Sequence, residues 1–184
     1  MSDNTSKDNP LKDILGLSGN DTKEVVSDIT CVPKPPDLKH AFARSALGIK
    51  LSYVDWRLKR STPDWYILDQ QKIQINQHDL IPDLAGWQNE ELEEEGVIKS
   101  VPGWIGEVLS SSARKDDRHF KMPLYAELGV QHFWLVNPNW HTLETFQLEN
   151  KDWRLITSYK DDETVDATPF GGISFPLGQL WSNE

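Results

Sequence analysis

The sequence predicts a mixed α/β domain, and three observations carry that reading. Trp104-Ile-Gly-Glu-Val-Leu109 carries bulky apolar residues on both alternating faces, as does Gln131-His-Phe-Trp-Leu-Val136, and strands of that kind lie inside a sheet. Between them Phe120, Leu124 and Leu128 recur at intervals of four before Gly129, the spacing of a helix closed by a glycine cap. Strand, helix and strand in that order imply a parallel crossover. The shorter strand candidates on either side imply antiparallel neighbours.

In chain order, residues 1–37 are polar and acidic with Pro33, Pro35 and Pro36 near the end, the composition of a flexible tail and linker. Within them, Asn9-Pro-Leu-Lys-Asp-Ile-Leu15 could form a short docking helix. The folded domain is expected to span residues 38–184. It begins with an amphipathic helix over residues 38–51, capped by Asp37, with Leu38, Ala41, Phe42, Ser45/Ala46 and Ile49 as its apolar stripe. A basic loop follows from Arg57 to Asp64. Three strands, at residues 65–68, 72–75 and 80–87, then read as an antiparallel meander. Gln88 to Gly96 is an acidic exposed connection.

After the buried strand at 104–109 comes a Ser-rich connection and then the helix, in which Pro123 has to fall in the first turn or cause a kink. Asn137-Pro-Asn-Trp140 turns the chain into a strand at 142–148, and Asn150 turns it into another at 153–159. Phe170 to Trp181 is expected to pack across the sheet.

Bulk composition narrows the function. No apolar run is long enough to span a membrane, and the N-terminus lacks a secretory pattern, so a cytoplasmic protein with no membrane partner is expected. The single cysteine, Cys31, forms no intramolecular disulfide and belongs to no multi-cysteine metal site. The formal net charge of -10 disfavours nucleic acid at first sight. Its distribution is uneven: residues 1–37 hold -3, residues 90–95 hold -5 and residues 160–166 hold -3, so the remainder is +1. Arg57, Lys59 and Arg60 form one basic cluster and Arg114, Lys115, Arg118 and Lys121 another. Each also reads as ordinary solvated charge. Phosphate loops, His-x-x-x-His pairs, nucleophile elbows and zinc spacings are absent. His40 could face a site from the first helix and His119 lies in a basic stretch, although both suit ordinary helix positions.

Glu107 is the anomaly. A carboxylate in a doubly apolar strand needs a cation, a basic partner or solvent. Asp83 also sits among apolar neighbours, in Ile-Pro-Asp-Leu-Ala. Two such carboxylates converging would repel each other unless a hard divalent cation, Mg2+ or Mn2+, lay between them. Lys121 could orient water or hold phosphate, with Asp117 four residues away to orient it. The plainer alternative stays open: a Pro-Asp turn, an intrahelical Asp117–Lys121 pair, and Glu107 paired with Arg114.

The runs Trp65-Tyr-Ile-Leu-Asp69, Leu80-Ile-Pro-Asp-Leu-Ala-Gly-Trp87, Glu107-Val-Leu-Ser110, Asp117-Arg-His-Phe-Lys121 with Tyr125, Gly129-Val130, and Phe133-Trp-Leu-Val-Asn-Pro138 resemble, in order, the Uma-two family of restriction endonuclease-like proteins. That family belongs to the PD-(D/E)XK nuclease superfamily, and the likeness covers residues 39–181. It implies a restriction endonuclease-like α/β core with a mixed central sheet flanked by helices. It also implies metal-dependent endonucleolytic hydrolysis of DNA, with Asp83 and Glu107 as metal ligands and Lys121 in place of the usual lysine. A homodimer is a candidate assembly. A standard superfamily member would carry lysine at position 109, where this chain has Leu109; Asn137 and Ser111 stand where the family often has aspartate and proline. The alternative is a non-catalytic binding or regulatory protein that keeps the nuclease fold.

Overall fold

A computed structural model describes residues 24–26, 29–31, 37–57, 65–88, 92, 97–110 and 120–181. Its centre is a six-stranded mixed sheet. The strands in chain order are β1 (Glu24–Val26), β2 (Ile29–Cys31), β3 (Trp65–Asp69), β4 (Ile73–Ile75), β5 (His78–Leu80), β6 (Leu84–Gln88), β7 (Trp104–Val108), β8 (His132–Asn137), β9 (Thr142–Glu149), β10 (Asp152–Lys160), β11 (Thr164–Val165) and β12 (Phe175–Pro176). Helix α1 (Leu38–Arg57) precedes β3, α2 (Met122–Leu128) joins β7 to β8, and a 3-10 turn covers Leu177–Leu180.

The large sheet runs β10-β9-β8-β7-β6-β3. Among the described strands of this sheet β7 and β8 alone pair in parallel, with Glu107 opposite Leu135, and α2 makes the crossover. All five residues of β7 are buried, as expected of a strand with apolar groups on both faces. Successive side chains then point to opposite sides. Trp104 and Val108 join a core with Ala43, Leu47 and Leu51 of α1, while Ile105 joins Leu124, Tyr125 and Phe133 on the α2 side. The α1 side is closed by Phe170, which meets Trp65, Trp104 and Trp134 edge-on with ring centroids 5.1–5.4 Å apart. The C-terminal segment therefore does pack across the sheet. Gly106 is required on this side: a Cβ there would come within 2.7 Å of the Trp104 ring.

The meander is corrected. Residues 80–87 form two strands, because Pro82 has no N–H to donate to a ladder. β4 pairs with β5 across the turn at Asn76 (φ 55°), and β3 pairs with β6. Two strands also fall within the stretch read as tail: β1 pairs with β2 and, through Val25, with Asp79 of β5.

Helix α1 runs to Arg57, beyond the expected end, and buries a different face. His40, Ala43, Leu47 and Leu51 are buried, whereas Leu38, Phe42 and Ile49 are 77%, 42% and 70% exposed. The helix carries two apolar stripes at proper spacing, and the one that faces the sheet also places His40 and Arg44 against Asp83. Pro123 lies in the first turn of α2, and Gly129 closes that helix in the left-handed region at φ 89°, both as expected. Among the described residues no helix is long and apolar enough to cross a membrane.

Candidate active site

Asp83 and Glu107 are brought to the same place by strand pairing. Leu84 is the register partner of Gly106, so Asp83, one residue earlier on an antiparallel strand, falls beside Glu107. The Asp83 Oδ2 atom accepts the N–H of Val108 at 2.9 Å, which ties it to the residue after Glu107. The Asp83 backbone is held in turn, its carbonyl accepting the N–H of Gln70 at 3.1 Å. Both carboxylates are buried, Asp83 at 9% exposure and Glu107 at 2%.

Each has its own set of donors. Glu107 Oε1 accepts the Tyr125 hydroxyl at 2.6 Å and Lys121 Nζ at 3.3 Å. These two residues are one turn apart at the start of α2, so they present to the same side. Asp83 Oδ2 lies 3.0 Å from His40 Nε2, and its Oδ1 lies 3.8 Å from Arg44 Nη1. Arg44 Nε is also 3.1 Å from Asp69 Oδ1 at the end of β3. Asp37 caps α1 as expected, accepting the His40 N–H at 2.8 Å. That cap sets the first turn from which His40 reaches the strand.

Three of the four residues expected at the site are thus placed: Asp83 beside Glu107, and Lys121 on Glu107. Asp117 lies outside the described residues, as do Arg114, the alternative partner of Glu107, and the basic side chains of residues 57–60, 115 and 118. The residues that sequence reasoning underweighted are His40, Arg44 and Tyr125. His40 carried a signal, since it opens a helical stripe whose later members are Ala43, Leu47 and Leu51. Tyr125 carried another, one turn after Lys121. Arg44 offered none beyond its place one turn after His40.

The donor set suits a hard divalent ion. Asp83 and Glu107, on neighbouring chain segments by register, offer the carboxylate oxygens that Mg2+ or Mn2+ takes. No group of three or more His, Cys, Asp or Glu residues able to hold a metal occurs among the described residues.

A carboxylate pair at the ends of adjacent strands, with a lysine from the crossover helix, is what the resemblance implied. The profile of the Uma2 family, described as "Putative restriction endonuclease", matches residues 22–178. The chain belongs to the Uma2 family. The Uma2 match begins before α1 and takes in β1 and β2. The crystal structure of "a putative nuclease belonging to DUF820" from Anabaena variabilis ATCC 29413 is similar to this Uma2 protein with a TM-score of 0.68. It covers 92% of this chain and 96% of that one at 18% identity, a likeness of fold. No curated protein matches the chain. The family resemblance and the nuclease-like mixed fold read from the sequence are borne out.

Proposed function

We propose that this Uma2 protein is a metal-dependent endonuclease that hydrolyses DNA phosphodiester bonds, with Asp83 and Glu107 holding Mg2+ or Mn2+. The observation that carries the reading is the pair of buried carboxylates at the ends of β6 and β7, with Asp83 bonded to the Val108 N–H next to Glu107. Structural ion pairs alone seldom justify burying two acids side by side, because each costs several kcal/mol of desolvation. A bound divalent ion supplies positive charge against the charge that develops on a phosphodiester under attack. Lys121, already on Glu107, reaches the same place from α2 and holds a proton-bearing Nζ where a water or phosphate oxygen can be oriented. Arg44 balances Asp83 and Asp69 from α1.

Thermal unfolding with millimolar Mn2+ or Mg2+ tests metal uptake. At one hundred times Kd the ion contributes about 2.7 kcal/mol, or roughly 5–10 °C for a chain of this size. Asp83→Ala is expected to abolish the shift; a parent that does not shift counts against the reading. Incubation with plasmid, linear and single-stranded DNA plus Mn2+ tests cleavage, with Glu107→Ala as control. Equal cleavage by variant and parent identifies a contaminant.

A second reading has one observation in its favour. Position 109, where a superfamily lysine would stand, is a leucine only 3% exposed in the α2-side core. A non-catalytic binding or regulatory module would keep the fold and the metal-induced shift, and would leave all three DNA forms intact.

A further inference from the structure

We propose that Tyr125 and His40 are positioning residues that fix the rotation of the two carboxylates, one from each side of the sheet; this rests on the metal site proposed above. On each carboxylate two donors meet at one oxygen, with Arg44 Nη1 standing 3.8 Å from the other oxygen of Asp83. Tyr125 and Lys121 both address Glu107 Oε1, and His40 and the Val108 N–H both address Asp83 Oδ2. Two donors on one oxygen set the direction of the carboxylate plane and hence the heading of its other oxygen.

The partners differ in stiffness. Tyr125 is fully buried, its ring packed at 5.9 Å from that of Phe133, and its hydroxyl is the shorter contact to Glu107. Lys121 is a mobile amine on a four-carbon stem. Of these two donors, Tyr125 is therefore the stiffer hold on Glu107. On Asp83 the second donor is backbone of a central strand, so losing His40 leaves a rigid donor behind. Tyr125 consequently carries more of the effect than His40.

The test is a Mn2+ titration of the full chain, read by calorimetry and by the electron paramagnetic resonance of free Mn2+, at a temperature where each variant is folded. Tyr125→Phe is expected to weaken Mn2+ binding toward the upper end of the about 10- to 100-fold range for lost supporting contacts, and His40→Ala toward the lower end. His40→Gln, which restores a donor near the Nε2 position, is expected to recover most of the loss. A role in stability alone would lower the melting temperature of the variants and leave their Mn2+ Kd at the parent value, which overturns the proposal. His40→Gln binding no better than His40→Ala overturns the part assigned to His40. A parent that takes up no Mn2+ overturns the nuclease reading itself, and this inference with it.

Discussion

Two lysine–carboxylate pairs in this molecule share a geometry and differ in surroundings. Lys121 Nζ lies 3.3 Å from Glu107 Oε1 of β7, and Lys72 Nζ lies 3.2 Å from Asp79 Oδ2 of β5. The first pair is 15% and 3% exposed, the second 32% and 26%. Distance alone would rank them equal. Burial separates them, because the first carboxylate has lost its water and the second has kept much of it. Glu107 has the Tyr125 hydroxyl as a further donor. Asp79 has Gln74 across the β4–β5 ladder, at 2.9 Å from Nε2.

The largest expected consequence is on the buried pair. Removing one partner of such a pair costs about 3–5 kcal/mol, since the other charge stays buried and uncompensated. Lys121→Met is placed near 3 kcal/mol, because Tyr125 still donates to Glu107. Urea unfolding checks this: the midpoint should fall with an unchanged slope. A loss below about 1 kcal/mol would put Lys121–Glu107 in the same class as an exposed pair.

A smaller effect separates the two faces of β7. Trp104 and Gly106 face the α1 side, while Ile105 and Glu107 face α2. Gly106→Ala places a methyl group 2.7 Å from the Trp104 ring, which Phe170 and Trp134 hold in place. Overpacking of this kind costs about 1–3 kcal/mol. The expected outcome is a lower urea midpoint with the Mn2+ Kd of the folded protein unchanged. A weakened Kd would mean that the strand transmits strain from one face to the other.

The sequence makes β7 and Glu107 legible for the reason that makes them unusual: an acid inside a doubly apolar strand stands out against its own neighbours. The crossover through α2 was equally open, since Pro123 and Gly129 mark its two ends. The pairing of β3 with β6 was not, because a strand's partner is set by contacts distant in sequence, and nothing in residues 65–69 says which neighbour they choose. Nor was the buried face of α1. Two stripes satisfied helical spacing, and the choice fell to the one whose polar members, His40 and Arg44, meet Asp83 across the fold. The carboxylates of the candidate site were therefore readable one by one, and His40 was a candidate, while the pairing of His40 and Arg44 with Asp83 became visible only with the chain folded.

The smallest effect belongs to the less buried pair, Lys72–Asp79, and its pH dependence sharpens the contrast. The carboxyl of Asp79 is held below its usual value of 3.8, chiefly by the Gln74 hydrogen bond; what burial there is opposes that, and Lys72 adds to the lowering. A carboxylate whose folded-state pKa is depressed contributes stability above the unfolded value and loses it as pH falls through the folded one. Asp79→Asn is therefore expected to cost less than about 1 kcal/mol near neutral pH, as for a solvent-screened pair. The difference from the parent should shrink toward zero as the buffer is acidified below 3.8. Melting temperatures of parent and variant across pH 2–7 measure that difference directly, with the other carboxylates common to both proteins. A difference that persisted in acid would show that Asp79 matters to the β4–β5 hairpin through packing, and exposure would then no longer be what divides the two pairs.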